Sequence, residues 1–253
     1  MTQELPYCGL APLPGELPSR FNVDPVLIAG LVCVCLAQLV WLRHRSRFEV
    51  RRRQAFAVAG WSVAAAAFLS PLCALSVALL SARVGQHMVL SLIAAPLIAM
   101  GLPRGPAWTH MRRLWVSASI FLIALWYWHM PDPYAATFDS SRMYWAMHIT
   151  LFGSSIFLWR ELLDHPAHQT TQVLAAGSLT FLQMGLLGAM LTLADRPLFQ
   201  WHATTTLAWG LTPLQDQQLA GTIMWVPGIA LFLWIAVRSL NSMWQAIERT
   251  RPA

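Results

Sequence analysis

Three histidines, each directly beside a methionine, are the residues of this chain best suited to bind a metal ion. They are His87 with Met88, His129 with Met130, and His148 with Met147. Imidazole nitrogen and thioether sulfur together select copper, especially Cu(I), over magnesium or calcium. We therefore predict a copper site made of the three imidazoles and the thioether of Met147, with the other two methionines in support.

The same residues also have a purely structural interpretation. Each histidine could be satisfied by a backbone carbonyl or a neighbouring helix, and methionine often fills gaps in a core. The other histidines are expected to be solvated residues in or near cytoplasmic loops, apart from His202, which is expected in an outer loop. The four cytoplasmic ones are His44, His110, His165 and His168.

A second candidate set opens the last apolar segment. Gln217, Gly221, Met224 and Gly228 have offsets of 0, 4, 7 and 11, which puts them on one face of a helix. This face either supports the site, together with Met184 of the preceding segment, or forms a tight helix packing seam.

Asp216 directly precedes that face and has two interpretations. It could be a favourable partner of the helix dipole, because it lies near the positive end of its helix. Alternatively, it could accept a hydrogen bond from a histidine and so orient a metal ligand.

The composition requires a membrane to position these residues. Of the 253 residues, 57% are hydrophobic and 11% are charged, whereas a soluble domain carries about 25% charged residues. The net charge of +6 comes from 17 basic residues, all of them arginine. Since these arginines lie between apolar runs, they indicate topology, and nucleic acid is not an expected partner.

Seven segments are apolar and long enough to cross a bilayer, which needs about 20 residues. The fold class is therefore predicted to be all-α, a polytopic bundle of seven transmembrane helices. The spans are residues 26–42, 55–75, 85–101, 114–130, 143–163, 172–193 and 213–238. They form a membrane domain over 26–238, between a periplasmic segment 1–25 and a cytoplasmic tail 239–253.

Local signals support this division. Leu102-Pro103 and Met130-Pro131 are predicted to end spans, since a residue before proline avoids the helical conformation. Ser70-Pro71 should kink the second span, and Pro96 and Pro227 should do so in the third and seventh. Thr212-Pro213-Leu214-Gln215 is a capping signal for the seventh span.

Arginine counts set the orientation. Thirteen arginines fall on one set of alternate loops and four on the other, which the positive-inside rule resolves as N-terminus outside and C-terminus cytoplasmic. At 1.5 Å rise per residue, the three methionine-flanked histidines should then lie within roughly 10 Å of the outer boundary of the hydrocarbon region. They could converge there.

The cysteines and the remaining motifs exclude other classes. Cys8, Cys33, Cys35 and Cys73 are scattered, so a disulfide framework is not expected. The first 24 residues lack the pattern of a cleavable signal peptide. No nucleophile elbow, Gly-rich phosphate loop or carboxylate pair is present, so an enzyme is not expected.

The chain resembles a known family, the CtaG-type assembly factors of caa-type cytochrome c oxidase. The resemblance runs from about residue 48 to 238. It is carried by Gln86-His87-Met88-Val89-Leu90 through Ala95-Pro96-Leu97, Trp128-His129-Met130-Pro131 with Tyr134, His148 with Trp159, Gly188, Arg196-Pro197-Leu198, and Asp216-Gln217-Gln218-Leu219-Ala220-Gly221 with Met224-Trp225-Val226-Pro227-Gly228.

The resemblance implies a multi-pass protein of the bacterial inner membrane that matures the oxidase, by a route thought to be copper delivery to its catalytic subunit. The implied partners are cytochrome c oxidase subunits within membrane lipid, and a periplasmic copper carrier is a further candidate. The chain has Arg83 and Val84, and Tyr144 and Met147, where the family tends to have other residues near the histidines. A guanidinium close to a metal ion would repel it.

Two alternatives stay open from the sequence. Two of the histidines could ligate b-type haem between facing helices of a membrane redox protein, including a quinone-reactive one. The chain could also be a metal-free scaffold that binds oxidase subunits through apolar helix faces and its arginine-rich first loop.

Overall fold

The chain folds as a set of packed helices, described here from a computed structural model that covers residues 5–43, 47–103, 110–165 and 167–250. Within those ranges there is no strand, so the all-α prediction is confirmed. The helices are α1 Pro25–Leu42, α2 Arg47–Leu69, α3 Leu72–Ala78, α4 Leu80–Met88, α5 Ala95–Gly101, α6 His110–Trp128, α7 Pro131–Asp139, α8 Ser141–Leu163, α9 Thr170–Thr192 and α10 Pro213–Thr250.

Several of these helices are long and apolar enough to cross a membrane. Four qualify alone: α1, the helix Leu80–Gly101 that joins α4 to α5, α9 and α10. Two bent pairs, α2 with α3 and α6 with α7, raise the number to six if each is one span. Length and composition thus indicate a multi-pass membrane protein. The one predicted span that is not among these six is the fifth, residues 143–163. It corresponds to α8, which has the length but carries charged residues near both ends.

The first helix lies at the edge of the molecule. Asp24 caps it by accepting a hydrogen bond from the Val26 amide at 2.9 Å, and Pro25 occupies its first turn. Only Leu27, Gln38 and Leu42 of α1 are buried, and its main partner is α2. Most of its apolar surface therefore faces outward.

The two bent pairs occur where the sequence predicted breaks. Helices α2 and α3 meet at 48° beside Ser70-Pro71, and α6 and α7 meet at 77° beside Met130-Pro131. Proline explains both corners, since it lacks an amide hydrogen and restricts the residue before it. The second corner places His129 just beyond the end of α6.

The most buried helix is the continuous one formed by α4 and α5. A π-helical segment, Val89–Ala94, joins its two halves, and the Ala95 amide bonds to the Leu90 carbonyl. Pro96 follows at once, so the wider π turn accommodates the missing amide where the sequence predicted a kink. At Pro227, in contrast, α10 continues as one helix.

Helices α9 and α10 pack closely because both carry glycine at the contact. A Cβ atom on Gly221 would lie 2.4 Å from the Gly188 carbonyl oxygen and 2.3 Å from the Thr192 hydroxyl.

At the start of α10 the predicted capping box is present: Thr212 and Gln215 exchange hydrogen bonds of 2.9 and 3.2 Å. The helix continues to Thr250, beyond the predicted end at residue 238.

A disulfide joins Cys8 to Cys73, with a Cα–Cα distance of 5.5 Å. The expectation that the cysteines would not pair was therefore wrong for these two. Residues 5–24 fold back over the helices, which brings Cys8 to the second residue of α3 across 65 positions of sequence. Cys33 and Cys35 are free thiols.

Candidate functional site

Three helices bring the methionine-flanked histidines into one buried cluster. His87 is in the last turn of α4, His129 is at the corner after α6, and His148 is two turns into α8. Their exposed fractions are 4%, 6% and 2%. The ring centroid of His87 is 5.9 Å from that of His129 and 5.2 Å from that of His148. We call these three residues the histidine cluster.

Backbone carbonyls set the tautomers of two of these rings. Nδ1 of His129 is 2.7 Å from the Leu125 carbonyl oxygen, and Nδ1 of His148 is 3.0 Å from that of Tyr144. A carbonyl can only accept, so each Nδ1 carries the proton, and each neutral ring keeps a lone pair on Nε2. This arrangement is typical of histidines that ligate metals through Nε2.

His87 has no comparable anchor. Both of its ring nitrogens are buried and have no hydrogen-bond partner among the described residues, and the same holds for Nε2 of His148. Leaving such atoms unpaired costs about 1–3 kcal/mol each. Orphaned nitrogens that point to no protein partner are what a bound ion would satisfy.

The ring spacings would allow His87 to share an ion with His129 or with His148. A ring nitrogen about 2.0 Å from a metal puts the ring centroid about 3.2 Å from it, so two rings on one ion are at most about 6.4 Å apart. Both observed separations fall below that limit. Within the described ranges, no three His, Cys, Asp or Glu side chains are already arranged around a metal position. Binding would require rotation of a ring, and His87 is the ring without hydrogen bonds to break.

The methionines differ in their surroundings. Met88 and Met147 are buried next to their histidines, whereas Met130 is half-exposed. Met184 and Met224 are buried, and the methyl carbon of Met184 lies 3.7 Å from where a Cβ on Gly228 would be. Met184 therefore packs in the contact between α9 and α10, in keeping with the packing-seam interpretation.

Asp216 holds the helix that carries His87. Its carboxylate accepts hydrogen bonds from the Leu80 amide at 2.6 Å, the Ser81 amide at 3.1 Å and the Ser81 hydroxyl. It thus caps the N-terminus of α4 while lying in the first turn of α10. These bonds give it a positioning role through α4. None of its described hydrogen bonds is to a histidine, which was one of the two interpretations of this residue.

Gln217 anchors the connection between α9 and α10. Its side-chain oxygen accepts from the Leu198 amide at 2.7 Å, and its amide group donates to the Leu191 and Arg196 carbonyls at 3.4 Å. Its contacts are structural, and none of them is to a histidine.

Arg83 lies one helical turn before His87 and is 1% exposed. Its guanidinium donates to the Thr137 hydroxyl at 2.6 Å and stands 4.0 Å from the ring centroid of Phe138. No described ion pair neutralises it, so hydrogen bonds and aromatic faces hold this cation. Val84 is buried next to it.

Tyr144 links the histidine cluster to the N-terminal segment. Its ring centroid is 4.3 Å from that of His148 and 4.8 Å from that of Tyr7. Its hydroxyl lies 3.4 Å from the sulfur of Cys8 and 3.8 Å from that of Cys73. The disulfide and Tyr7 therefore cover the cluster on this side.

This covering layer could not be predicted from the sequence. Aromatic residues far apart in the chain carry no spacing signal, whereas in the structure the disulfide and the stacking of Tyr7 on Tyr144 show that the N-terminal segment folds back. Tyr7 donates a hydrogen bond to Asp24, and burial together with this bond raises the pKa of Tyr7 above its ordinary value.

Two other histidines are buried: His110, for which a solvated position was expected, and His202, which lies in the connection between α9 and α10. His110, at the start of α6, is 1% exposed, and its Nε2 donates to the Glu161 carbonyl at 2.9 Å. His202 donates from Nδ1 to the Ala78 carbonyl at 3.2 Å and accepts from the Tyr134 hydroxyl at 2.7 Å. Burial lowers the pKa of His202 from 6.5 to about 3.

Comparison with known proteins identifies one relationship. Curated proteins and solved structures give no match to the chain. A family model described as cytochrome c oxidase caa3 assembly factor matches residues 34–246. The matched range includes the whole histidine cluster but begins after Cys8.

Proposed function

Because the chain belongs to the cytochrome c oxidase caa3 assembly factor family, we propose that it takes up a copper ion at the histidine cluster and helps to deliver it to an oxidase subunit. The family assignment implies interaction with oxidase components and suggests a non-catalytic role. The observation that carries the copper proposal is the convergence of three buried imidazoles, in which both ring nitrogens of His87 and Nε2 of His148 lack partners among the described residues.

The three histidines of the cluster would have different roles in holding a copper ion as cargo. His129 and His148 present Nε2 lone pairs on rings fixed by the carbonyls of Leu125 and Tyr144. His87 can turn to complete the site or to release the ion. Imidazole, with the buried thioethers of Met88 and Met147 as neighbours, suits Cu(I).

The ring spacing favours a shared ion over the haem alternative. Two rings on opposite sides of a haem iron would have centroids about 6.4 Å apart, given metal–nitrogen distances of about 2.0 Å. The observed pairs are closer, at 5.9 and 5.2 Å, and the rings are nearly perpendicular. Separations shorter than the distance expected across a haem iron favour two rings that reach one small ion at an angle.

We place the cluster near the periplasmic face of a bacterial inner membrane, in a seven-span bundle in which α8 also crosses. The arginine distribution supports an external N-terminus. The Cys8–Cys73 disulfide supports it independently, because such bonds persist in oxidising compartments such as the periplasm. Delivery from there would suit a periplasmic copper carrier as the donor.

The copper proposal is tested by metal analysis of purified protein. Protein is loaded anaerobically with copper and ascorbate, and bound copper is measured in wild type, His87→Ala and the triple variant H87A/H129A/H148A. We expect about one copper per chain in the wild type, a loss of at least tenfold in affinity for H87A, and none bound in the triple variant.

The control is His168→Ala, which removes an exposed histidine and should leave copper binding unchanged. His87 makes no hydrogen bond, so its substitution leaves the described hydrogen-bond network intact, and elution as a single species should confirm this. Equal copper in wild type and triple variant would leave the metal-free scaffold as the better account. An oxidase that keeps full copper and activity after deletion of this protein would remove the assembly role.

A further inference from the structure

A pocket of about 250 Å³ lies at the opposite end of the helices from the histidine cluster. It is bounded by α2, by the end of α5, by the end of α8 and by α10. Arg160, on its wall, follows His148 by twelve residues along α8, which is about 18 Å of helix. The pocket is therefore separate from the proposed copper site.

Positive charge dominates this pocket. Four guanidinium groups and one carboxylate line it, from Arg52, Arg53, Arg160, Arg238 and Asp164. The described ion pairs use Glu161 with Arg113 and His110, and none involves Arg160 or Arg238. An anion in the pocket would thus meet at least two guanidinium groups, those of Arg160 and Arg238, that no described ion pair neutralises.

Backbone contacts fix two of these arginines in place. Arg160 donates to the Pro103 carbonyl at 3.0 Å, and Arg238 donates to the Leu163 carbonyl at 2.9 Å. A guanidinium has five N–H donors in a planar fork that matches phosphate oxygens. These hydrogen bonds to backbone carbonyls orient each guanidinium group and leave its positive charge in place.

The rest of the wall is apolar. Phe56, Met100, Leu163 and Trp234 contribute to it, and the Trp234 ring centroid lies 6.0 Å from the Arg238 guanidinium. Leu233 and Val237 are exposed on α10 beside the pocket. A ligand that fits this surface has a negative head and an apolar body.

We propose that this basic pocket binds the phosphodiester headgroup of an anionic phospholipid, with an acyl chain along the exposed apolar side of α10. Basic pockets between transmembrane helices are known to hold such headgroups. A free phosphate would share the contacts with the arginines but would gain nothing from the apolar wall.

Native mass spectrometry of delipidated protein titrated with phosphatidylglycerol tests the proposal. The wild type should retain one lipid, and the double variant R160Q/R238Q should bind it about tenfold more weakly or worse. The matched control is R51Q/R112Q, which removes the same charge from two exposed arginines outside the pocket and should bind like the wild type.

A third variant, R160K/R238K, keeps the charge but loses the planar forks, and intermediate binding is expected from it. Equal weakening by R160Q/R238Q and by the control would overturn the proposal, because attraction would then come from surface charge in general. Phosphatidylcholine binding as tightly as phosphatidylglycerol would also overturn it. Inorganic phosphate that displaces the lipid at equal concentration would identify a free anion as the ligand.

Discussion

His87 differs from the other members of the histidine cluster in having no hydrogen bond on either ring nitrogen. A ring without an anchor can rotate at little cost, whereas His129 and His148 are held by carbonyls of their own helices. A carrier must both bind and release its cargo. In the proposed copper site, the cluster would therefore combine two fixed rings with one that can move.

In the proposed copper site, the neighbouring Arg83 would disfavour a highly charged ion. By Coulomb's law, a guanidinium repels a divalent ion twice as strongly as a monovalent ion at the same distance. The guanidinium is held beside Phe138 and Thr137. Binding of a monovalent ion such as Cu(I) at the proposed site would therefore cost less electrostatic energy than binding of a divalent ion.

His202 provides a pH test of the fold. Its pKa of about 3 in the folded protein lies below the value near 6.5 of an unfolded chain. The unfolded state therefore binds more protons, so the stability from neutral His202 is complete above about pH 6.5 and is lost as pH falls toward 3. We expect the unfolding temperature in detergent to fall less steeply between pH 7 and 4.5 in His202→Gln than in wild type.

His168→Gln is the control for this measurement, since it makes the same substitution at an exposed histidine. An unchanged slope in His202→Gln would show that other groups carry the acid sensitivity. At pH 7.5 the variant should itself be less stable than the wild type, because a flexible glutamine replaces a ring that accepts from the Tyr134 hydroxyl and donates to the Ala78 carbonyl.

The sequence predicted the residues of the cluster better than their supports. Counting residues along the predicted spans placed the three histidines at the same depth, because each residue of a regular helix adds a fixed rise. The role of Asp216 depends on a contact with Leu80 across 136 positions, and no local pattern specifies it. Met130 was predicted as a supporting residue but is half-exposed, since the bend at Pro131 turns the chain at that point.

At the scale of elements, the close contact between α9 and α10 depends on Gly221. A Cβ there would meet backbone atoms of Gly188 and Thr192 at 2.4 and 2.7 Å, which cannot move without separating the helices. We expect Gly221→Ala to destabilise the protein by about 1–3 kcal/mol, measured as a lower unfolding temperature.

Gly30→Ala is the matched control, because nothing lies within 4 Å of a Cβ at that position in α1. It should be neutral or slightly stabilising, as alanine is the better helix former. A comparable loss of stability in both variants would contradict the role of the contact.

The positions of the prolines predicted where helices are interrupted, but not what form each interruption takes. The corners at Ser70-Pro71 and Met130-Pro131 occur as predicted, since the restriction on the residue before proline is local. At Pro96 the outcome is a π-helical segment, and at Pro227 the helix continues. The sequence identifies where a helix is weakened, while packing decides how the chain responds.

At the scale of the whole molecule, the orientation can be tested on α8. Cysteines introduced at Asp139 and His168 lie before and after this helix and are exposed. In a background with Cys33→Ser and Cys35→Ser, an impermeant maleimide should label D139C in intact spheroplasts. It should label H168C only after permeabilisation. Labelling of both from outside would contradict a crossing by α8.

The disulfide constrains how the copper experiments can be done. Thiol and phosphine reductants are commonly used to keep copper monovalent, and they would also cleave the bond between Cys8 and Cys73. The N-terminal segment would then be free to leave the histidine cluster, and the measured affinity would belong to an uncovered site. Ascorbate reduces Cu(II) without opening disulfides. The choice of reductant therefore decides which form of the protein is measured.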